Sequence, residues 1–595
     1  MDKPQSTRRR KARRRVMVLL VLCCAVFALF LARLAWLQFA MADHYAQKMA
    51  EASSASYTLP QHAARGAITD RSGTVLAQDE TVYDVYLRVP APPGTNLRET
   101  ANTIAALTGG KDVETQLAAF CSAVSAGELP VTQGLDSIGA AAYYRTGLVQ
   151  SGAVRLAARG VRRWPYGTIL PHTLGFTGPV TAEQWPAARA QGLAMDATIG
   201  QNGLEAAYDT LLRGRDGQLQ INVGLDGVTR ETMQTSTPVP GCTLVLTLDA
   251  DLQKTLQTAL QNQMDTLRTT KGIGAGREVR AAVVVDVRTG GILAAASLPD
   301  FDLSRYRSDY AALSADSAAP LLDRVCQGLY APGSAFKPAV AAAALTAGID
   351  PAATVNCTGK YFYYSSYHPG CLQYGHRGPV DLRTALEYSC NIFFYDTGRR
   401  LGVDTFSAMA RQLGLANDTG VEITAAQGRL TWSTDTNYQD GLTLMAAIGQ
   451  GNTAVTPLQL AQYAATLANY GRKPTLHFAD RAVQPATGAA VWQYEPAFTE
   501  IPGGEAVFGP IRDGMKRMAQ TARALREAPV TVAAKTGSPQ LADTLPGGSH
   551  YVNSVLIGYA PADDPQIAMA VVLEYGGGGA NAAPVMRAVL DAWFE

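Results

Sequence analysis

The first hydrophobic feature of the chain is an uninterrupted apolar run from Val16 to Ala32. It follows the basic segment Arg13–Arg15 and, after one further arginine, continues as far as Leu37. A helix over residues 16–37 is about 33 Å long, which is enough to cross the hydrocarbon core of a bilayer. The pattern therefore predicts one transmembrane helix, with the basic residues 1–15 in the cytoplasm and the rest of the chain outside.

The tripeptide Ala40-Met41-Ala42 resembles a signal-peptidase site, so a cleaved leader is the alternative interpretation. A signal peptide, however, has an apolar core of about 7–15 residues, and its cleavage site follows that core closely. The run here is longer and lies well before the tripeptide. We therefore expect a retained single-pass anchor in the lipid bilayer of the cytoplasmic membrane.

Short strand-like stretches such as Thr81–Val89, separated by turns, characterise residues 55–245. They predict a mainly β or α+β domain, and nothing in it suggests catalysis. An amphipathic helix is predicted over Asp249–Leu267, because apolar residues recur there at four-residue steps. This helix leads into a second domain, residues 250–595.

Apolar segments near both ends of the second domain predict strands, namely Ala281–Val285, Ile292–Ala296, Val555–Tyr559 and Ile567–Leu573. A short helix over Ala582–Trp593 is expected to close the chain, and helix-like spacing dominates Leu321–Tyr470. Strands at both ends with helices between them predict an α/β domain whose first and last strands meet in one helix-flanked sheet.

Charge and cysteine content narrow the function classes. The first 40 residues contain nine Lys or Arg and one acid, so a formal net charge of +1 for the chain leaves −7 on the remainder. A mildly acidic body argues against nucleic acid as the partner. The eight cysteines show no CxxC or Cys–His spacing, so no metal site and no cofactor are implied. Cys357 and Cys371 flank a Tyr-rich loop, either as a disulfide or as two free buried thiols.

A candidate nucleophile, Ser334, stands three residues before Lys337 and ahead of the Ala-rich run Ala339–Thr346. If a helix begins near Ser334, both side chains share one face, and a desolvated lysine can serve as the base that a serine hydroxyl needs. Pro338 fits this picture awkwardly, although the first turn of a helix tolerates proline. Alone, the pair is also compatible with an ordinary helix start followed by a solvated lysine.

Two further motifs offer polar groups for a substrate. Ser389-Cys390-Asn391 lies within the helix-like segment Ala385–Tyr395, where a hydroxyl and an amide can project together. Lys535-Thr536-Gly537-Ser538 follows the strand-like stretch Val530–Ala534, where a cation and hydroxyls can bind a carboxylate and the glycine permits close approach. Each motif alone is compatible with ordinary capping or a strand end.

Together the three motifs, each found once in the chain, resemble those of penicillin-recognising serine acyltransferases. The chain is most similar to the class B penicillin-binding proteins, which are monofunctional transpeptidases of cell elongation, division or sporulation. Two segments resemble parts of the N-terminal pedestal domain in that family, namely Arg65–Gly73 and Gly200–Glu205. Their glycines and charged residues are typical of turns and of ion pairs that hold segments together. The resemblance covers most of residues 60–595.

The resemblance implies a peptidoglycan D,D-transpeptidase that β-lactams inactivate. On this resemblance, Ser334 is expected to attack the D-Ala-D-Ala carbonyl, Lys337 to take its proton, and Ser389 to relay the proton to the leaving amine. Asn391 is expected to hold the donor amide and Lys337, and the backbone N–H groups of Ser334 and Ser538 are expected to form the oxyanion hole. Three residues of the third motif are expected to bind the terminal carboxylate of the substrate, namely Lys535, Thr536 and Ser538. Gly537 is expected to let the substrate backbone approach closely.

Three other functions remain open on the sequence: a D,D-carboxypeptidase that uses water as acceptor, a β-lactamase, and a catalytically silent β-lactam-binding scaffold or receptor. The long pedestal favours the transpeptidase over the carboxypeptidase. A β-lactamase needs a water-activating base, which the sequence does not identify, and would not need the anchor and pedestal. The complete motifs, and a cytoplasmic segment too short for a signalling domain, argue against the silent scaffold or receptor. The resemblance also implies a membrane-embedded glycosyltransferase of the elongation or division machinery as a partner.

Overall fold

The structure is a computed structural model, and it describes residues 5–45, 48, 55–89, 94–108, 113–123, 127–195, 197–223, 229–271, 279–371, 376–544 and 550–595. The chain divides into two compact units. One comprises residues 1–63 and 215–239, and the other comprises residues 64–214 and 240–595.

The first unit contains a long helix, Gln5–Ala35, which continues as one π-helical turn, Trp36–Ala40. Its apolar side chains are exposed, with Phe27 71% and Leu29 75% accessible. Among the described residues, residues 10–40 form the one helix long and apolar enough to cross a membrane. A long apolar helix whose described side chains are exposed fits a single-pass membrane anchor. The unit also has a three-stranded antiparallel sheet, formed by Ala55–Gln61, Gly217–Val223 and Thr229–Ser236.

The second unit begins with a strand-rich region, as the turn-separated pattern predicts. Its longest strand, Val75–Val89, pairs antiparallel with Gly127–Leu135 and with Val154–Arg163. The remaining strands are Ile68–Thr69, Thr177–Pro179, Thr198–Gly200 and Thr243–Leu246. The helices are Leu97–Leu107, Val113–Ala123, Ser137–Arg145, Pro171–Leu174, Trp185–Ala190, Gly203–Ala207 and Asp209–Leu212.

Strand Thr243–Leu246 joins this strand-rich region to the domain predicted over residues 250–595. The sequence did not predict this pairing between the two domains. The strand pairs in parallel with Ile68–Thr69 on one side and antiparallel with Ala479–Val483 on the other. Ala479–Val483 also pairs with Ala490–Gln493. One sheet therefore spans the predicted boundary between residues 245 and 250.

A buried cluster of ion pairs stabilises the strand-rich region. It involves the segments Arg65–Gly73 and Gly200–Glu205, whose charged residues were predicted to form such pairs. Glu205 is inaccessible to solvent, and its carboxylate accepts hydrogen bonds from the guanidinium groups of Arg65 (2.6 Å) and Arg162 (2.7 Å). Arg65 also pairs with Asp209 at 2.7 Å. Charges removed from water in this way are tolerated because each one has opposite charges and hydrogen bonds around it.

The central sheet contains five antiparallel strands in the order Ile292–Leu298, Arg280–Asp286, Ile567–Leu573, Ser554–Ala560, Ala533–Gly537. Val283 lies opposite Ala570, so the first and last parts of the domain meet in one sheet, as predicted. Successive residues of a strand point to opposite faces, and both faces are covered. Val283 and Val285 belong to one hydrophobic cluster, whereas Ala282 and Val284 belong to another.

Helices cover the two faces of this sheet. The predicted amphipathic helix extends over Ala250–Lys271 and packs with the closing helix Ala583–Phe594 on one face. The other helices are Tyr306–Ala315, Lys337–Thr346, Leu382–Glu387, Asn391–Leu401, Val403–Gln412, Asp440–Ala447, Pro457–Ala468, Gly504–Thr521 and Arg523–Arg526. Short 3₁₀ turns occur at Leu303–Arg305, Gly333–Phe336 and Gly579–Ala582, and short strands at Val355–Cys357, Gly378–Val380, Arg472–Pro474, Phe498–Glu500, Gln540–Thr544 and His550–Val552.

Candidate active site

Ser334 lies in the 3₁₀ turn Gly333–Phe336, which leads directly into the buried helix Lys337–Thr346. Pro338 occupies the first turn of that helix, where a backbone N–H has no helical acceptor in any case. The proline is therefore compatible with the helix start that the sequence predicts. The Ser334 side chain is half-buried, at the beginning of this turn.

Lys337 is fully buried, and its Nζ donates hydrogen bonds to the Asn391 Oδ1 (2.7 Å), the Ser389 carbonyl oxygen (2.8 Å) and the Ser389 Oγ (3.2 Å). None of these acceptors is a carboxylate. Burial therefore disfavours the charged amine and lowers the pKa of Lys337 to about 7. A substantial fraction of this amine is neutral near physiological pH.

Lys535 approaches the same hydroxyl from the sheet. Its Nζ donates to the Ser389 Oγ at 3.0 Å and to the Thr536 carbonyl oxygen at 3.0 Å. Burial, together with the nearby Lys337 amine, lowers the pKa of Lys535 well below its usual value. The first and third motifs therefore meet at Ser389, the first residue of the second motif.

The structure corrects the predicted position of Ser389-Cys390-Asn391 within one helix. The helix Leu382–Glu387 ends before the motif, and the next helix, Asn391–Leu401, begins at its last residue. Ser389 has φ of +57°, in the left-handed region that non-glycine residues seldom adopt. Such backbone strain persists where the surrounding contacts determine it, and here it directs the hydroxyl between two lysines.

The third motif also differs slightly from its prediction, because the strand Ala533–Gly537 contains Lys535, Thr536 and Gly537 instead of ending before them. Gly537 is in close contact with the turn that carries Ser334. A Cβ added at Gly537 would lie 2.2 Å from the Pro332 carbonyl oxygen, so only glycine fits without displacement. Ser538 follows the strand, and its Oγ accepts a hydrogen bond from the Gly579 N–H at 2.8 Å.

The sequence did not predict a second group of polar side chains, which lies next to the middle motif. Cys357, Cys371, His376 and Cys390 are all buried, and their ligand-type atoms all lie within 4.8 Å of one another. The structure has Cys357 and Cys371 as unbridged thiols, the second of the two alternatives. The four residues lie within positions 357–390, with four residues between Cys371 and His376, and this spacing is the signal from which the group could have been found.

A family model described as the penicillin binding protein transpeptidase domain matches residues 280–591, and one described as the penicillin-binding protein dimerisation domain matches residues 60–246. Peptidoglycan D,D-transpeptidase MrdA of Salmonella typhimurium is 29% identical over 476 residues, which cover 73% of this chain and 73% of the relative.

Two solved structures show the same fold. A chain from a peptidoglycan synthase complex aligns with a TM-score of 0.74 and 28% identity, covering 98% of each chain. PBP2 of Pseudomonas aeruginosa, in complex with WCK 5153, aligns with a TM-score of 0.64 and 25% identity, covering 90% of this chain and 96% of that one. Because the transpeptidase match covers more than half of the 595 residues, this chain belongs to the penicillin-binding proteins that have a dimerisation domain and a transpeptidase domain.

Proposed function

We propose that the protein is a serine-type peptidoglycan D,D-transpeptidase, inhibited by β-lactams, that cross-links stem peptides ending in D-Ala-D-Ala. The observation that carries this proposal is Lys337, a buried amine with a pKa of about 7 that hydrogen-bonds Ser389 and Asn391. An amine that is partly neutral at working pH can accept the proton of a serine hydroxyl one helical turn away.

Acylation begins with attack of the Ser334 Oγ on the carbonyl carbon of the penultimate D-Ala, while Lys337 accepts the hydroxyl proton. The amide C–N bond breaks, and Ser389 passes a proton to the departing amine of the terminal D-Ala. Lys337 and Lys535 both contact the Ser389 Oγ, so a proton path through this hydroxyl has hydrogen-bonded partners on both sides. The products are an ester on Ser334 and free D-Ala.

Binding groups surround the reacting carbonyl. Lys535, Thr536 and Ser538 bind the terminal carboxylate, Gly537 allows the substrate backbone to lie against the strand, and Asn391 holds the donor amide. The backbone N–H groups of Ser334 and Ser538 form the oxyanion hole, where loss of one donor typically costs about 10²–10³ in rate. The amine of a neighbouring stem peptide then attacks the ester carbonyl, which forms the new amide bond and releases the Ser334 hydroxyl. A β-lactam acylates Ser334 in the same way, but the acceptor amine does not cleave the resulting ester.

We propose the following topology for the anchored enzyme: residues 1–15 in the cytoplasm, residues 16–37 in the membrane, and a pedestal (55–245) and transpeptidase domain (250–595) outside. The exposed apolar helix and the basic residues before it support this orientation. A membrane glycosyltransferase is the partner that fits, since transpeptidation needs newly polymerised glycan. The similarity to a chain of a peptidoglycan synthase complex supports this choice.

The proposal is tested by incubating the purified protein with a fluorescent penicillin and locating the adduct by intact-protein and peptide mass spectrometry. A stable adduct on Ser334, absent from Ser334→Ala, is the expected result. Rapid turnover of the adduct would indicate a β-lactamase, and no adduct in folded protein would indicate a silent scaffold. Reaction with a D-Ala-D-Ala stem peptide, with and without an amine acceptor, distinguishes transpeptidation from D,D-carboxypeptidation by the product formed.

A further inference from the structure

The Tyr-rich loop carries exposed aromatic rings beside the candidate active site. Residues 358–371 contain four Tyr and one Phe, whereas aromatic residues make up 8% of the whole chain. Three of these rings are open to solvent, since Phe362 is 63%, Tyr363 58% and Tyr367 40% accessible. These three side chains are called the aromatic patch below. Exposed apolar side chains that cluster in this way mark a binding surface more often than a bare surface does.

The rings of the patch are held in place before any ligand arrives. The Arg399 guanidinium lies 4.0 Å from the centre of the Tyr363 ring, and its Nε donates to the buried Tyr361 hydroxyl at 2.9 Å. The Phe362 ring packs on His368 with ring centres 5.0 Å apart. Rings that are fixed in advance lose little conformational freedom on binding, which suits them to recognition.

One helix separates the patch from the turn that carries Ser334. The Tyr367 hydroxyl donates to the Met445 Sδ at 3.2 Å, and Met445 belongs to helix Asp440–Ala447. Two residues after that helix, the Gly449 carbonyl oxygen accepts a hydrogen bond of 2.9 Å from the N–H of Gly333. A ligand on the patch therefore lies about one helix diameter, roughly 10 Å, from the proposed nucleophile.

A second contact joins the same loop to the middle motif. The Asn391 Nδ2 donates to the Gly370 carbonyl oxygen at 3.2 Å. Asn391 is the residue proposed to hold the donor amide, so the loop borders the place where a stem peptide would lie. A stem peptide of four or five residues spans at most about 13–18 Å when extended. The far end of a bound stem peptide can therefore reach the patch.

The chemistry of the loop fits a saccharide. A hexose ring has a face of C–H groups, which packs on the electron-rich face of an aromatic ring, and a rim of hydroxyl groups that need hydrogen-bond partners. The loop offers rings together with the exposed hydroxyls of Ser365 and Ser366. It contains no Asp or Glu for a cationic ligand, and Lys360 is its one Lys or Arg, so it lacks the clustered cations that a phosphate polymer needs.

We propose that the aromatic patch is a subsite for the glycan strand of the substrate and binds the sugar units next to the stem peptide that is being cross-linked. Stem peptides are attached to a polymer of N-acetylated hexoses, so a peptide in the active site brings sugar rings with it. This inference rests on the proposed transpeptidase function, whereas binding of the sugar polymer by itself requires no catalysis.

The first test measures binding of the full chain, in detergent, to immobilised glycan strands that an amidase has stripped of their peptides. The double variant Phe362→Ser/Tyr363→Ser should bind about tenfold more weakly, because two ring contacts are lost. Both side chains are exposed, so the fold should tolerate the change. Tyr310→Ser is the matched control, since Tyr310 is 51% accessible and lies outside the loop. Equal affinities for the wild type and the double variant would overturn the subsite.

The second test compares one reaction with and without sugar. Cross-linking of polymerised, uncross-linked peptidoglycan and of free stem peptide is measured with the same amine acceptor, per molecule that a fluorescent penicillin labels. In the double variant the ratio of the two rates, glycan-linked over free peptide, should fall about tenfold, whereas Tyr310→Ser should keep the wild-type ratio.

Two outcomes separate this inference from its neighbours. An equal loss of rate on both substrates would mean that the rings only support the active site, and would overturn the subsite. If Ser334 is not acylated under any condition, the proposed transpeptidase reaction fails, whereas binding to the stripped glycan strands still decides whether the patch binds sugar.

Discussion

At the residue scale, the decisive arrangement is a serine hydroxyl between two buried amines. The Ser389 Oγ accepts from Lys337 at 3.2 Å and from Lys535 at 3.0 Å, and neither lysine forms an ion pair with a carboxylate among the described residues. Two neighbouring ammonium groups without counter-ions are costly in a buried place. At least one amine is therefore held neutral, which suits a proton acceptor.

The first prediction concerns pH. Because the pKa of Lys337 is lowered to about 7 and its neutral form is the base, the acylation rate constant should rise between about pH 6 and pH 8 and then level off. Stopped-flow or gel-based labelling with a fluorescent penicillin measures this profile. A rate that is already maximal at the acidic end would remove Lys337 from the role of base.

A second prediction follows for the side chain itself. Lys337→Ala should lower the acylation rate constant by about 10²–10⁴, because that is the usual contribution of a positioned acid or base. Lys516→Ala is the control, since the Lys516 amine is 43% exposed and pairs only with Asp563 among the described residues. Equal rates in both variants would contradict the assignment.

Gly537 supports a third prediction. A methyl group at Gly537 would lie 2.2 Å from the Pro332 carbonyl oxygen, so Gly537→Ala should push the strand away from the Ser334 turn. We expect acylation to fall by about 10²-fold, as misplacement by about 1 Å can do. At Gly578 an added Cβ meets open space, and φ is −64°, so Gly578→Ala should label at nearly the wild-type rate.

At the element scale, buried charge fixes how the strand-rich region is assembled. Glu205 lies in the first turn of the short helix Gly203–Ala207, Arg162 lies on strand Val154–Arg163, and Arg65 precedes the first short strand of the region. Their ion pairs therefore join three elements that are distant in sequence. The same ion pairs explain why the carboxylate of Glu205 is stable although no solvent reaches it.

Substitution of the central carboxylate gives the fourth prediction. Glu205→Gln removes the carboxylate that two buried guanidinium groups share and leaves each group with one other carboxylate, Asp209 for Arg65 and Asp79 for Arg162. Breaking a buried ion pair typically costs about 3–5 kcal/mol, and these remaining partners place the expected loss at the lower end of that range. Thermal unfolding of the full chain should show a clearly lower midpoint. Glu80→Gln is the control on the neighbouring strand, because the Arg163–Glu80 pair is about half exposed on both sides and should leave the midpoint almost unchanged.

At the scale of the whole molecule, the apolar helix contributes no buried side chains among its described residues. Its outward-facing Phe27, Leu29 and Phe30 need a hydrocarbon environment, and the Arg33 guanidinium lies 4.4 Å from the centre of the Trp36 ring, as befits a membrane interface. Anchoring and chemistry are therefore separable functions of the chain.

This separation is the basis of the fifth prediction. Deletion of residues 1–40 should move the protein from the membrane fraction to the soluble fraction, because it removes the one helix among the described residues that is long and apolar enough to cross a membrane. Penicillin labelling per folded molecule should remain close to that of the full chain. Membrane fractionation followed by fluorescent labelling measures both, and retention of the deleted form in carbonate-washed membranes would point to a second membrane contact.

The sequence by itself determined the features that depend on local patterns. The anchor, the strands Arg280–Asp286 and Ile567–Leu573, and the amphipathic helix Ala250–Lys271 all follow from runs or periods of apolar residues. The motifs around Ser334 and Lys535 were likewise visible, because each one lies within a single turn or strand.

Only the tertiary structure decided the relations between distant segments. The pairing of Thr243–Leu246 with Ala479–Val483 and the left-handed backbone at Ser389 have no local signal. Each one depends on packing between residues far apart in the chain, which a periodic pattern cannot encode. The lowered pKa of Lys337 is of the same kind, since it arises from burial by elements that the helix meets only in the folded domain.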